Sequence, residues 1–264
     1  DGASIRIRGL SSIYAGQSPL IMVDGVVSSL DAIDPNAIES ITILKDAAST
    51  AIYGTRAANG VVLITTKKGK GKGTLEYGYS LGTSKITKRY DLLDAAEYRA
   101  AGGQDQKGNT DWQNELFRTG YTNQHNFAYG AGDASGSYRF TLGYLNQQGI
   151  IKESDIKRYS LGFNGSKKFL KDRLTIASNI NISNNQDANV PISENVGFEG
   201  DLMGNILKAN PTRPVYNSDG TFNQPGNTEP NPLAMIVLSQ DNTNTLRALG
   251  NINAELQIVK NLKF

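Results

Sequence analysis

The chain holds one histidine, His125, and no cysteine, so disulfides, zinc–thiolate centres and cysteine nucleophiles are excluded at the outset. A lone histidine has no second His to complete a metal motif, and His125 reads as a polar residue at the start of a strand. Asp91, Asp94 and Glu97 fall at helical spacing in the stretch 85–120. Two carboxylates facing each other across a cleft can cleave a glycosidic bond. Three on one face of a short surface helix are ordinarily solvated, and no nucleophile–base constellation accompanies them. Asp219-Gly220 closes an Asn217-Ser218-Asp219-Gly220 turn without the remaining ligands of a calcium loop. The basic run Lys67-Lys68-Gly69-Lys70-Gly71-Lys72-Gly73 resembles a phosphate loop in composition alone. It lacks the required glycine–lysine spacing and no helix follows, so it reads as a flexible, solvated linker. Neither catalysis nor a metal or cofactor is expected.

With chemistry of that kind set aside, composition points to strands. Glycine (28) and tyrosine (12) are abundant while Met (3) and Trp (1) are scarce, which suits strands, turns and aromatic girdles better than a helical core. The formal net charge of +2 makes no electrostatic case for nucleic acid. The longest apolar runs, at 233–238 and 61–64, fall far short of the roughly 18 residues of a spanning helix.

Two patterns divide the chain. Residues 1–68 read as a small α/β unit. It has an alternating Ile5-Arg6-Ile7-Arg8 strand ended by Gly9, a strand 19–23 closed by the Asp24-Gly25 turn, and a brief helix through Ile38 that opens at Asp34-Pro35. A strand 41–44, a helix 47–53 stopped at Gly54, and a β-branched strand 60–66 complete it. After the linker 69–73, residues 74–264 alternate with a period of two. Leu75, Tyr77, Tyr79 and Leu81 share one face of the first strand, and Tyr138, Phe140, Leu142 and Tyr144 repeat the pattern. Further alternating stretches begin near 121, 159, 174 and 246, about six strands in all, several of bilayer-crossing length. The opposite face is Gly, Asn, Ser and Thr. Tight turns at 133–136 and 169–172 alternate with longer connections at 85–120, 149–156 and 186–244, as at the two ends of a transmembrane barrel. The apolar-face Tyr and Trp are expected to form a girdle at the lipid headgroups.

Against this frame, the run Ile41-Thr42-Ile43-Leu44-Lys45-Asp46-Ala47-Ala48, then Ala51-Ile52-Tyr53-Gly54-Thr55-Arg56-Ala57-Ala58-Asn59-Gly60 and Val61-Val62-Leu63-Ile64-Thr65-Thr66, resembles the plug signature of SusC/RagA-type TonB-dependent outer-membrane transporters. Upstream, the Arg8-Gly9 and Asp24-Gly25 segments are similar to the same plug's earlier motifs. Asn109-Thr110-Asp111-Trp112 and Tyr144-Leu145-Asn146-Gln147-Gln148-Gly149 resemble segments among the family's first barrel strands.

The resemblance implies the C-terminal part of a plug (1–68) followed by the N-terminal part of a β-barrel (74–264) in the outer membrane of a Gram-negative bacterium. The family's signal sequence and TonB box would lie before Asp1. It implies import of oligosaccharides or peptides, with the plug gating the lumen. The implied partners are a SusD-like surface lipoprotein, the TonB complex and outer-membrane lipid. Within the signature, Arg8, Gly9, Asp24, Gly25, Lys45, Asp46, Tyr53, Gly54, Arg56, Asn59 and Gly60 are expected to serve plug structure and gating. Gly54 and Gly60 would supply backbone conformations closed to other residues. Asp46 would cap the helix after it. Arg56 would pair with the wall or with a plug carboxylate. Two other readings compete: a surface β-structured binding module whose strands close alone, and a carbohydrate-active enzyme. An open sheet with bare edges near 74–84 and 245–258 is the expectation that separates the first of these from a barrel wall.

Overall fold

The computed structural model of the chain describes residues 5–7, 18–30, 33–46, 51–192, 200–224, 226, 229–259 and 262–264. Two sheets form. The smaller holds β1 (Leu20–Val23), β2 (Val26–Val27), β3 (Ile38–Leu44) and β4 (Val61–Thr66) in the order β2-β1-β4-β3, with β1 parallel to β4. Asp24 (φ 47°) and Gly25 (φ 85°) form the two-residue connection from β1 to β2, the positive-φ pair that a tight hairpin requires. Asp34 caps a 3-10 turn, Pro35–Ala37, by accepting the Asn36 amide, but the helix expected through Ile38 ends after this turn. Strand β3 therefore begins at Ile38 rather than Ile41, because Ile38 turns in to pack beside Ala37 on the core. Residues 5–7 carry no strand, yet Ile5 and Ile7 pack on the same core of Val23, Ile33, Ala37, Val62 and Ile64. Most of the helix expected at 47–53 lies outside the described residues. The part within them is 3-10 in character, Ala51–Ala57, and is broken at Gly54.

The larger sheet is a meander, β5 (Gly71–Ser84), β6 (Gly120–Asp133), β7 (Gly136–Gln148), β8 (Asp155–Phe169), β9 (Leu174–Asn189), β10 (Asp241–Val259) and the two-residue β11 (Leu262–Lys263), each strand antiparallel to the next. The six long strands run from 13 to 19 residues, more than the roughly 9–11 needed to cross a bilayer at a tilt. The sheet does not close on itself. One edge, β5, has no partner beyond β6 among the described residues. At the other edge β11 folds back on the tip of β10 alone, pairing Val259 with Leu262 and Gln257 with Lys263, so among the described residues the outer side of 241–255 stays bare as expected. A two-residue strand carries too little alternation to be read from sequence.

Register explains the two faces. Tyr77 pairs with Phe127, Phe127 with Leu142, Leu142 with Leu161 and Leu161 with Ile182, so one apolar row crosses five strands. The rows stay exposed: Leu75 is 72%, Leu142 55% and Ile252 77% accessible. A contiguous apolar surface of this breadth marks a membrane or protein contact. Cross-strand ring contacts tie it together, such as Phe140–Phe163 at 4.8 Å and Tyr144–Tyr159 at 5.2 Å. His125 sits within this face, inside β6 rather than at a strand start, and its Nδ1 lies 2.9 Å from the Tyr77 hydroxyl.

The three long connections meet at one end of the sheet and fold together. They carry α1 (Ala95–Ala100), α2 (Trp112–Leu116), α3 (Leu202–Lys208) and α4 (Pro232–Val237). Trp112, Leu116, Phe117, Ile151, Leu202, Ile206, Leu233 and Ile236 build one core there. Trp112 is thus no girdle residue and its motif no strand: it opens α2, and its Nε1 donates to the Asn210 carbonyl at 3.0 Å. The buried Arg213 guanidinium lies 5.1 Å from the Trp112 ring centroid and donates to the carbonyls of Glu229 and Pro230.

Trp112→Ala should cost this cap about 3–5 kcal/mol, the usual loss for a large buried aromatic. Hydrogen exchange in the full-length protein should speed up over 95–118 and 202–237 while β5–β10 keep their protection. Acid should act locally. The Lys107 amide, then Arg99, hold the Asp105 carboxyl below its usual value, so the folded state favours the ionised form. That stabilisation is present above the ordinary aspartate pKa of about 3.9 and is lost as pH falls through the lower folded value. Protection around 99–108, taken relative to the intrinsic exchange rate at each pH, should fall over that interval, and unchanged protection would refute the assignment.

Candidate functional site

The small sheet sits on the polar face of the large one. The Thr66 side chain, 1% exposed at the end of β4, is the centre of the contact. Its amide donates to Asp24 Oδ1 (3.0 Å) and its hydroxyl to Asp24 Oδ2 (2.6 Å). From the large sheet, Asn164 Nδ2 on β8 donates to Thr66 Oγ1 at 2.7 Å. Asn251 Nδ2 on β10 donates to the Asp24 carbonyl at 2.8 Å, while its own Oδ1 accepts from Asn179 on β9 at 3.1 Å. Ser160 on β8 donates to Asp34 Oδ2 at 3.3 Å. Gly143 on β7 makes room for this approach: a Cβ there would lie 2.2 Å from Asp34 Oδ2.

Beside these contacts the seam opens into a cavity of about 200 Å³ lined by Asp34, Lys67, Glu76, Asn126 and Arg139 among others. Arg139, 6% exposed, grips Glu76 with both terminal nitrogens at 2.9 and 2.7 Å. That planar two-bond pairing lies wholly within the large sheet.

The basic run 67–73 is not a free linker. Gly69 is buried against β6 and β7, where an added Cβ would stand 2.0 Å from the Tyr138 carbonyl oxygen and 2.4 Å from that of Ala131. Lys70 pairs with Glu39 at 2.7 Å, and the bond holds the Glu39 carboxyl below its usual range. Strand β5 starts at Gly71, inside the run.

Of the signature residues, Arg8 and Gly9 lie outside the described residues. Asp24 stands at the contact itself, and Gly25 follows it in the exposed β1–β2 turn. Gly54 has φ 67° and ψ −158°, a conformation essentially reserved for glycine. Gly60 has φ 97° and is approached by the Ile7 side chain, with 2.9 Å to an added Cβ. Tyr53 is half-buried, and Arg56 is exposed without an ion-pair partner among the described residues. Asn59 Nδ2 reaches the Ser18 carbonyl at 3.5 Å. Lys45 and Asp46 end the described part of that segment, and the helix Asp46 was expected to cap begins outside it. The structure thus brings Asp24 to the wall, and among the described residues the side chains of Tyr53 and Arg56 make no hydrogen bond there.

Asp94 and Glu97 are spent on local structure: Asp94 accepts the amides of Ala96 and Glu97, and Glu97 accepts the Asp94 amide in return, while Asp91 takes no part in that box. Among the described residues no cluster of three His, Asp or Glu could hold a metal ion. Sequence reasoning missed Thr66, Asn164, Asn251 and Ser160. The available signal was an amide placed on the polar face of two long strands, which by itself resembles any solvated position.

The TonB-dependent receptor plug domain family matches residues 1–61. The chain is 35% identical to the TonB-dependent receptor SusC of Bacteroides thetaiotaomicron, over 96% of its own length and 29% of that relative. It is 34% identical to the TonB-dependent receptor P3 of Formosa agariphila, over 98% of its length and 27% of that relative. The chain therefore spans less than a third of the curated relatives it matches. Among solved structures it superposes on the RagAB peptide transporter with a TM-score of 0.82 at 26% identity, covering 98% of this chain and 35% of that one.

Gly69→Ala should push the crossing 67–70 off β6 and β7 at a cost of about 1–3 kcal/mol, typical of overpacking against rigid backbone. In the full-length protein this appears as release of the small sheet to protease at lower urea. An unchanged midpoint would show that the crossing is not packed.

Proposed function

We propose, from the premise that this chain is a stretch of a SusC/RagA-type TonB-dependent receptor in the outer membrane, that the whole protein imports oligosaccharides or peptides and that the small sheet is the plug gating its lumen. The observation that carries the reading is the opposed character of the two faces: Thr66, Asp24 and Asp34 of the small sheet meet Asn164, Asn251 and Ser160 on one, while the aromatic rows stay bare on the other. Lipid covers such a bare band and a lumen houses such a polar face. On this reading residues 1–68 are plug, 69–73 the crossing and 74–264 the first part of the wall. The signature residues from Arg8 to Gly60 serve plug shape rather than substrate contact, as the positive-φ glycines and the Asp24 hydrogen bonds suggest by their local character.

The cap of loops stands at the wall end opposite the tight turns, the extracellular end of an outer-membrane barrel. A SusD-like lipoprotein would close over that end, and the TonB complex would pull on the plug from the periplasm. RagAB, on which the chain superposes, is a peptide importer, and peptides accordingly stand beside oligosaccharides as the proposed substrates.

The test is uptake by cells carrying the full-length protein, its lipoprotein partner and an intact TonB system, across labelled oligosaccharides and peptides. Uptake of at least one class is expected, and it should vanish when TonB is deleted. Binding without uptake across the panel would favour a surface binding module instead.

A further inference from the structure

Resting on the transport reading only for the placement of the small sheet in the lumen, the geometry points to a two-point latch in which Asn164 and Asn251 of the wall hold the β1–β2 turn of the plug closed. The two amides come from strands β8 and β10, separated by β9, and both converge on Asp24. Asn164 reaches it through Thr66. Its N–H donates to the Thr66 hydroxyl, which donates in turn to the Asp24 carboxylate at 2.6 Å, so the donors run in one direction and end on a charge. Such a chain polarises each member and strengthens the whole. Asn251 takes the backbone instead, and Asn179 braces it from β9.

What breaks on release defines the device. The Asp24 carboxylate keeps both hydrogen bonds from Thr66 when the wall departs, so no charge is stranded. The wall loses only two neutral amide donors at this point, and water can replace their partners as the seam opens. The stronger charged pair, Arg139–Glu76, lies inside the wall and stays intact. The contact is therefore specific in geometry and low in cost to break, which is what a stopper that must be withdrawn and reseated needs. Asn164 and Asn251 are positioning residues for gating; nothing assigns them a contact with substrate.

The full-length protein in planar bilayers tests this without substrate, lipoprotein or energy source, by scoring channel opening against urea. Asn164→Ala and Asn251→Ala should each raise the open fraction at fixed urea about three- to tenfold, the range of one net hydrogen bond, and the double variant should exceed either. Thr66→Val should behave like Asn164→Ala, and Thr66→Ser, which retains the hydroxyl, should behave as wild type. Heat-dependent gel mobility reports the barrel itself and should not change. The latch is refuted if the double asparagine variant opens at wild-type urea, if Thr66→Ser opens as readily as Thr66→Val, or if barrel stability falls in step with opening. A protein that imports nothing in cells yet shows the latch-dependent shift would discard the transport reading and keep this one.

Discussion

The constraint on which the rest depends is the period of two in an extended chain. Each wall strand must turn alternate residues to opposite sides, so one sequence has to satisfy two solvents at once. Tyr138, Phe140 and Leu142 face outward only because Arg139, Thr141 and Gly143 face inward. The inner face is then too polar to be buried against a greasy partner. Whatever fills the space behind the wall must be held by hydrogen bonds, and the small sheet is: Thr66, Asp24 and Asp34 meet asparagine and serine, while its own Val62 and Ile64 turn inward to a separate core. Two bodies with two cores joined by a polar seam can separate without exposing hydrophobic surface. The same bodies joined by an apolar seam could not.

How much of this was legible in sequence follows from how local each signal is. The wall was readable because alternation repeats within a single strand, and the strand register then follows from the tight turns at 134–135 and 170–173. The change of pattern near residue 70 falls between β4 of the small sheet and β5 of the large one. The seat was not readable. Thr66 and Asn164 meet across 98 positions, and no local pattern distinguishes a seam asparagine from a solvated one. Lys67–Gly73 was misread for a related reason: glycine next to lysine signals flexibility locally, whereas Gly69 is small because two backbone carbonyls crowd it.

Trp112 gives a second instance. A single tryptophan in a β-rich chain suggests a girdle, and the motif around it resembles wall sequence. It is instead buried in the cap, held by the Asn210 carbonyl and covered by Arg213. The cap as a whole escaped notice because the four helices named above are five to seven residues each, too short for a helical period to declare itself. Each start is nonetheless capped: Asp94, Asp111, Asp201 and Asn231 each accept backbone amides there.

That cap also dictates an order of assembly. Its core draws Trp112 from between β5 and β6, Ile151 from between β7 and β8, and Leu233 from between β9 and β10. Partners so distant along the chain meet late, since closing long loops delays the contacts that stabilise them. A nascent wall laid down hairpin by hairpin can pair Phe117 with Ile151, but Trp112 and Leu116 lack the cover of Leu202, Ile206, Leu233 and Ile236 until the last of these connections arrives. During that interval the unfinished cap is the part of the chain most in need of a chaperone.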